Sequence, residues 1–128
     1  MAIAHRTFGC GVELALEILG GKWKPVILAK LAGGALRYAE LRARIPALSD
    51  KVLTQRLNDL SELGLVVRHK RGGRGAPSSY QLTERALSLA PALQALHAWA
   101  EQIANEVGAV IEPAAVEAPD PPPRQAGR

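Results

Sequence analysis

A chain of 128 residues with 48% hydrophobic but only 4% aromatic side chains is long enough for one domain with appendages and a modest core, built from closely packed helices rather than around a deep cavity. It has no apolar run near the ~20 residues of a membrane span, no basic-then-apolar secretory start, and a single cysteine that excludes an intrachain disulfide, so a cytoplasmic protein is expected. The net charge of +4 is concentrated: Arg68, Lys70, Arg71 and Arg74 fall in residues 68–75 without an acid, so the remaining residues sum to zero.

Residues 1–9 show no periodicity and are expected to form a flexible N-terminal arm. Val12, Leu14, Ala15, Ile18 and Leu19 then predict a helix that Gly20-Gly21 ends. A second helix is predicted from Lys22 to about Leu31, with Trp23, Ile27, Leu28 and Leu31 on one face. Pro25 fits its first turn, where a missing N–H has no intrahelical partner, and Gly33-Gly34 stops it. Tyr38, Leu41 and Ile45 share a face of a short third helix, Arg37 to Ile45, which meets the turn-like Pro46-Ala47-Leu48. Ser49 can cap a fourth helix, Asp50 to Leu63, whose inward stripe is Leu53, Leu57, Leu60 and Leu63 and which Gly64 closes.

Leu65-Val66-Val67 reads as a strand, Arg68 to Gly75 as a basic glycine-rich loop, and Tyr80-Gln81-Leu82 as the returning strand of a hairpin. Thr83 can cap a helix from Glu84, and Pro91 predicts a break followed by a fresh helix to about Val110. Leu89, Leu93, Leu96, Trp99 or Ala100, Ile103 and Val107 recur along this segment at spacings of three and four. Such a stripe must be buried somewhere, and a helix-to-helix homodimer seam is expected, with Val12 and Leu16 of the first helix contributing. From residue 112 on, Pro113, Pro119 and Pro121-Pro122-Pro123 among small and charged residues predict a disordered tail, so the domain proper is expected over 10–111.

Helix, turn, helix and basic hairpin is the order of a winged helix-turn-helix, mainly α with a small β-hairpin wing, and a shape suited to duplex DNA. The outward residues of the fourth helix's first half are Asp50, Lys51, Thr54, Gln55 and Asn58, hydrogen-bonding groups of the kind that read base edges from a recognition helix. Ser49 and Arg37 at helix starts, and Arg68, Lys70, Arg71 and Arg74 on the wing, are expected to hold phosphates or probe the adjacent minor groove. His5, His69 and His97 are far apart and have no partner at metal-ligand spacing. Gly20-Gly21-Lys22 lacks the rest of a phosphate loop, and no nucleophile elbow or acidic pair is present. Neither enzymatic activity nor a cofactor or metal is expected.

These residues carry a resemblance. Over roughly Cys10 to Trp99 the chain resembles the HxlR-type winged-helix transcription regulators of bacteria. The resemblance lies in Gly21-Lys22-Trp23 followed by Ile27-Leu28 and Leu31, in Arg37-Tyr38-Ala39-Glu40-Leu41 with Ile45, and in Leu48-Ser49-Asp50-Lys51-Val52-Leu53-Thr54-Gln55-Arg56-Leu57. It continues through Leu60, Leu63-Gly64-Leu65-Val66, Arg68, Pro77, Tyr80-Gln81-Leu82-Thr83 and Trp99. It implies a homodimer, built by the N- and C-terminal helices, that represses or activates genes at a palindromic operator. Many relatives carry a cysteine just before the first helix, in some a sensor of oxidants, quinones or aldehydes, and Cys10 holds that position. The chain departs from the family where Gly11 replaces a frequent proline, in the Gly72-Gly73-Arg74-Gly75 wing tip, and at Ser79, where an acid is common.

For Cys10 two readings stand side by side. A helix N-terminus would stabilise its thiolate and make it oxidisable, whereas a free cysteine can equally be a small apolar residue buried at a dimer interface. Two other functions compete with the DNA-binding regulator switched through Cys10. One is a winged-helix regulator with a small-molecule effector at the dimer interface, lined by Trp23, Trp99 and the apolar helices. The other is a winged-helix protein-interaction module, for which the wing is unsuitably basic.

Overall fold

Apolar residues at helical spacing decide most of the architecture. In the computed structural model, which describes residues 3–70 and 77–111, the chain runs through α1 (Gly11–Leu19), α2 (Lys24–Leu31), β1 (Leu36–Arg37), α3 (Tyr38–Arg44), α4 (Asp50–Glu62), β2 (Val66–Lys70), β3 (Ser78–Leu82), α5 (Glu84–Leu87) and α6 (Ala90–Ile103). Two compact units are distinguished, residues 1–93 and 94–128, with α6 beginning in the first and continuing in the second. The expected tail at 112–128 lies outside the described residues, as do wing residues 71–76.

The core belongs to the first unit. Ile27, Leu28 and Leu31 of α2, Leu41 of α3, Ile45 and Leu48 of the turn, and Leu53, Leu57 and Leu60 of α4 are buried together with Leu36, Leu65, Val66 and Ala86. Leu53, Leu57 and Leu60 are at most 1% exposed, and each such side chain stabilises the fold by about 1.5–3 kcal/mol relative to an exposed one. Trp23, Tyr38 and Leu89 are half-buried against this cluster.

β1, β3 and β2 form a three-stranded antiparallel sheet in that order, with Tyr80 paired to Leu36 on one side and Arg68 on the other. Directly paired residues share a face and neighbours along a strand alternate. Leu36, Tyr80, Val66, Leu82, Arg68 and Lys70 therefore line the face that meets the helices. Arg37, Ser79, His69, Val67 and Gln81 line the other.

Several expected boundaries shift. Arg37, expected as the first residue of the third helix, is its N-cap and also forms a short strand with Leu36, because β3, more than forty positions later in the chain, offers them an edge. Arg68, His69 and Lys70 stand on β2, not in a loop, and β3 begins at Ser78 rather than Tyr80. α2 starts at Lys24, two residues later than expected, with Pro25 still in its first turn. After Thr83, whose hydroxyl accepts from Ala86 N–H at 3.3 Å, α5 lasts one turn; α6 then ends at Ile103 instead of near Val110. The following residues close on Gly108 (φ +71°), with Ala109 N–H donating to Ala104 O at 2.8 Å and Gly108 N–H to Asn105 O at 3.3 Å, a helix-stopping arrangement that glycine accommodates without strain.

Candidate nucleic-acid interface

α4 is held at both ends before any ligand arrives. At its start, the Ser49 hydroxyl accepts from Val52 N–H at 3.2 Å. At its end, Gly64 (φ +72°) lets Leu65 N–H reach Leu60 O at 2.9 Å and Gly64 N–H reach Ser61 O at 3.0 Å, the paired bonds of a Schellman stop with both leucines buried. Two residues from the α5 region complete the anchor: Thr83 Oγ1 donates to Gly64 O at 2.6 Å and Arg85 Nη1 to Leu63 O at 2.8 Å. Carbonyls of Leu60, Ser61, Leu63 and Gly64, which a helix C-terminus would leave open, are thereby satisfied.

With the leucine stripe turned inward, Lys51, Thr54, Gln55 and Asn58 fall together on the opposite, exposed face, as their spacing predicted. Lys51, Gln55 and Asn58 form no hydrogen bond with any described residue, so their donors and acceptors are available to a partner. Arg56, the other cation of α4, turns away from that face. It is only 27% exposed, lies against Gly21 and has Nη1 3.8 Å from Asp59 Oδ2.

α3 is fastened to the start of α4 by a polar cluster that the sequence reading overlooked. Tyr38 donates its phenolic proton to Asp50 Oδ1 at 2.9 Å, and Arg42 Nε reaches the same oxygen at 3.1 Å. Arg42 Nη1 also donates to Ile45 O at 3.2 Å, tying down the turn between the helices. The Thr54 hydroxyl stands 3.4 Å from the Tyr38 oxygen, so it is shared between this cluster and the outer face. Burial pushes the Tyr38 phenol above its usual range and the Asp50 carboxylate adds to the rise, against the lowering effects of Thr54 and Arg42; the phenol stays protonated and a donor at neutral pH. Tyr38 and Arg42 lie four apart on one helix face, but nothing local in the chain says that Asp50 is what this face meets.

The wing divides its charges by the alternation of the strand. Arg68 and Lys70 are exposed on the sheet face that also bears the helices, and Arg68 Nε donates across to Ser78 Oγ at 2.9 Å. His69 points the other way and meets Gln81 Oε1 at 3.1 Å. Arg71 and Arg74 lie outside the described residues. Arg37 does not join Arg68 and Lys70. It ends β1 on the opposite face, where its N–H and Nε contact Glu40 Oε1 at 3.1 and 3.2 Å beside Pro77 and Ser79.

Away from this surface, Cys10 stands exposed immediately before α1 with no side-chain bond to the helix end. Val12 and Leu16, one turn apart on α1, are each 66% exposed; in the second unit Leu96 and Trp99 are each 57% exposed and Val107 66%. Leu93 and Ile103 are half-buried, and Leu89 packs on the core of its own unit. A groove of about 660 Å³ runs along α1 between Ile18, Leu19, Leu63, Leu65 and Leu89, with Glu62, Arg85 and Ser88 at its rim; neither tryptophan lines it.

Comparison with known proteins agrees with this geometry. The family model described as HxlR-like helix-turn-helix matches residues 18–107. An uncharacterized HTH-type transcriptional regulator of Methanothermobacter thermautotrophicus is 39% identical over 90 residues, covering 70% of this chain and 69% of that protein. The solved structure of the redox regulator HypR in its reduced form superposes with a TM-score of 0.73 at 28% identity, covering 77% of this chain and 98% of that one. The reduced form of the transcriptional regulator YodB from B. subtilis gives 0.69 at 31% identity, again over 77% and 98%. With a mainly helical fold, a small antiparallel sheet and a family match from α1 to beyond α6, the chain belongs to the HxlR-like helix-turn-helix family of transcriptional regulators.

Proposed function

We propose that the protein is a homodimeric regulator that recognises a palindromic operator in double-stranded DNA. The observation that carries this reading is the outer face of α4: hydrogen-bonding side chains left free on a helix anchored at both ends. In this reading α4 enters the major groove, with Lys51, Thr54, Gln55 and Asn58 toward base edges and Ser49 near a phosphate. Arg68 and Lys70, continued by Arg71 and Arg74, hold the adjacent backbone, while Arg37 adds charge at the flank. Each unit by itself supplies apolar side chains for a second copy: Val12, Leu16, Leu89 and Leu93 in the first, Leu96, Trp99, Ile103 and Val107 in the second.

Cys10 is the candidate signal input. It is exposed and directly precedes the helix that carries Val12 and Leu16, so a modification there would act where the copies meet. The structural relatives include regulators solved as reduced, oxidized, diamide-treated and quinone-bound forms, which supports a thiol-reactive signal. The groove along α1 favours a second reading, in which a small apolar effector is the signal and acts by shifting α1 against Leu63, Leu65 and Leu89.

Selection of bound duplexes from a random pool, followed by titration with salt, tests the main reading. A specific sequence with two-fold symmetry is expected, and its affinity should fall by roughly 10³–10⁵ between 50 and 200 mM salt if 6–10 phosphates are neutralised. Arg68→Ala should weaken all duplexes about equally and Gln55→Ala should alter sequence preference. Selection that returns no consensus, or a flat salt response, overturns the reading. Release of DNA by diamide from a Cys10→Ser variant would remove Cys10 as the input and leave the groove reading.

A further inference from the structure

One oxygen of Asp50 remains unexplained by the packing of α3 on α4. Asp50 is the first residue of α4, and its side chain is 75% exposed although it is the hub of the Tyr38–Arg42 cluster. Both donors converge on the same atom, Oδ1, and no described residue bonds Oδ2. Here one oxygen fixes the rotamer and the other is held outward at the leading end of the helix, without entropy left to lose on binding. The Arg42 guanidinium and the positive end of α4 offset its charge, so an acid is tolerable on a surface facing phosphates.

From this geometry we infer that Asp50 is a specificity-determining residue that accepts a hydrogen bond from the N4 amino group of a cytosine in the major groove, an assignment that rests on the DNA-reading function proposed above. The chemistry selects cytosine. A carboxylate is acceptor-only, so it requires a base edge that donates, and the edges of guanine and thymine present acceptors or a methyl group there. Adenine offers an amino group, but acceptors flank it on both sides, its own N7 and the paired thymine O4, and repel the carboxylate; cytosine's N4 has an acceptor, guanine O6, on one side only and C5–H on the other. Tyr38 and Arg42 are then positioning residues that act on the base through Asp50.

The test uses the full chain, the selected operator, every single-base-pair variant of one half-site and an unrelated duplex, with binding followed by fluorescence anisotropy. Wild type should lose about 5- to 150-fold on replacing one particular C·G pair. It should lose a comparable factor when that cytosine is replaced by 2-pyrimidinone, which lacks the amino group. D50A should abolish the penalty at that pair alone and keep those at the other positions. D50N, whose Oδ1 still accepts from Tyr38 and Arg42, turns an N–H donor outward in place of Oδ2 and should shift the preference at that pair away from cytosine toward a base whose edge accepts there, guanine or thymine. Y38F should narrow the discrimination at the same pair while leaving other positions unchanged. Equal weakening of all duplexes by D50A and D50N, or an unaltered preference at every pair in D50N with native thermal unfolding, overturns the assignment and leaves Asp50 as a fastener. A wild type that binds every duplex equally overturns the DNA-reading proposal and this one with it, so the two failures are distinct.

Discussion

Helices α1 and α4 are both amphipathic in sequence, yet they end in opposite situations. α4 buries Leu53, Leu57 and Leu60 completely and presents only polar residues outward. α1 has no fully buried residue: Leu14, Ala15, Ile18 and Leu19 are half-covered, and Val12 and Leu16 face solvent. An apolar stripe demands a covering surface without saying whose. α4 meets that demand within its own unit, which frees its polar face for recognition, whereas α1 keeps apolar area that a single copy does not cover. Termination separates them too, since α4 closes on a glycine stop reinforced by Thr83 and Arg85.

The sharpest way to break this contrast is Leu57→Ala. Deleting that fully buried side chain should cost about 2–5 kcal/mol by urea unfolding, because the tightly packed centre cannot collapse around the void. Were the loss below 1 kcal/mol, α4 would not be the anchored partner in the comparison. Next comes Gly64→Ala, for which roughly 1–3 kcal/mol is expected. The position has φ +72° and a Cβ would stand 2.7 Å from Arg85 Nη1, so both the backbone and the Arg85 anchor are disturbed. The smallest effect on the protomer should come from Leu16→Glu. Its unfolding at high dilution should change by no more than about 0.5 kcal/mol, as at other exposed positions. Sedimentation at micromolar concentration should nevertheless move from two copies to one. A variant that stays dimeric would show that the uncovered area of α1 is not where copies meet.

Much of the candidate interface was readable from local pattern. Ser49, the leucines at 53, 57 and 60 and the polar set Lys51, Thr54, Gln55 and Asn58 follow from one period, and all fall on the expected faces. The Tyr38–Asp50–Arg42 cluster was not readable, because helical spacing aligns Tyr38 with Arg42 but carries no information about what packs against them. Arg37 stands where α3 starts, as expected, as its N-cap, but only pairing with Ser79 makes it also the end of a strand on the far face of the sheet. Of the wing's cations Arg68 and Lys70 lie among the described residues, on β2 rather than in a loop, and the direction of each depended on a register that a shift of two residues would preserve and a shift of one would invert.

The sequence by itself determined where helices run, which of their faces are apolar and where charge gathers, since these depend on spacing and composition over a few turns. It determined the family as well, through short motifs in a fixed order. Only the tertiary structure decided which apolar stripes close the core and which stay open, which sheet face receives Arg68 and Lys70, and which oxygen of Asp50 is held and which is free. Those outcomes rest on contacts between residues far apart in the chain, whose energies depend on distance and orientation that no local pattern encodes.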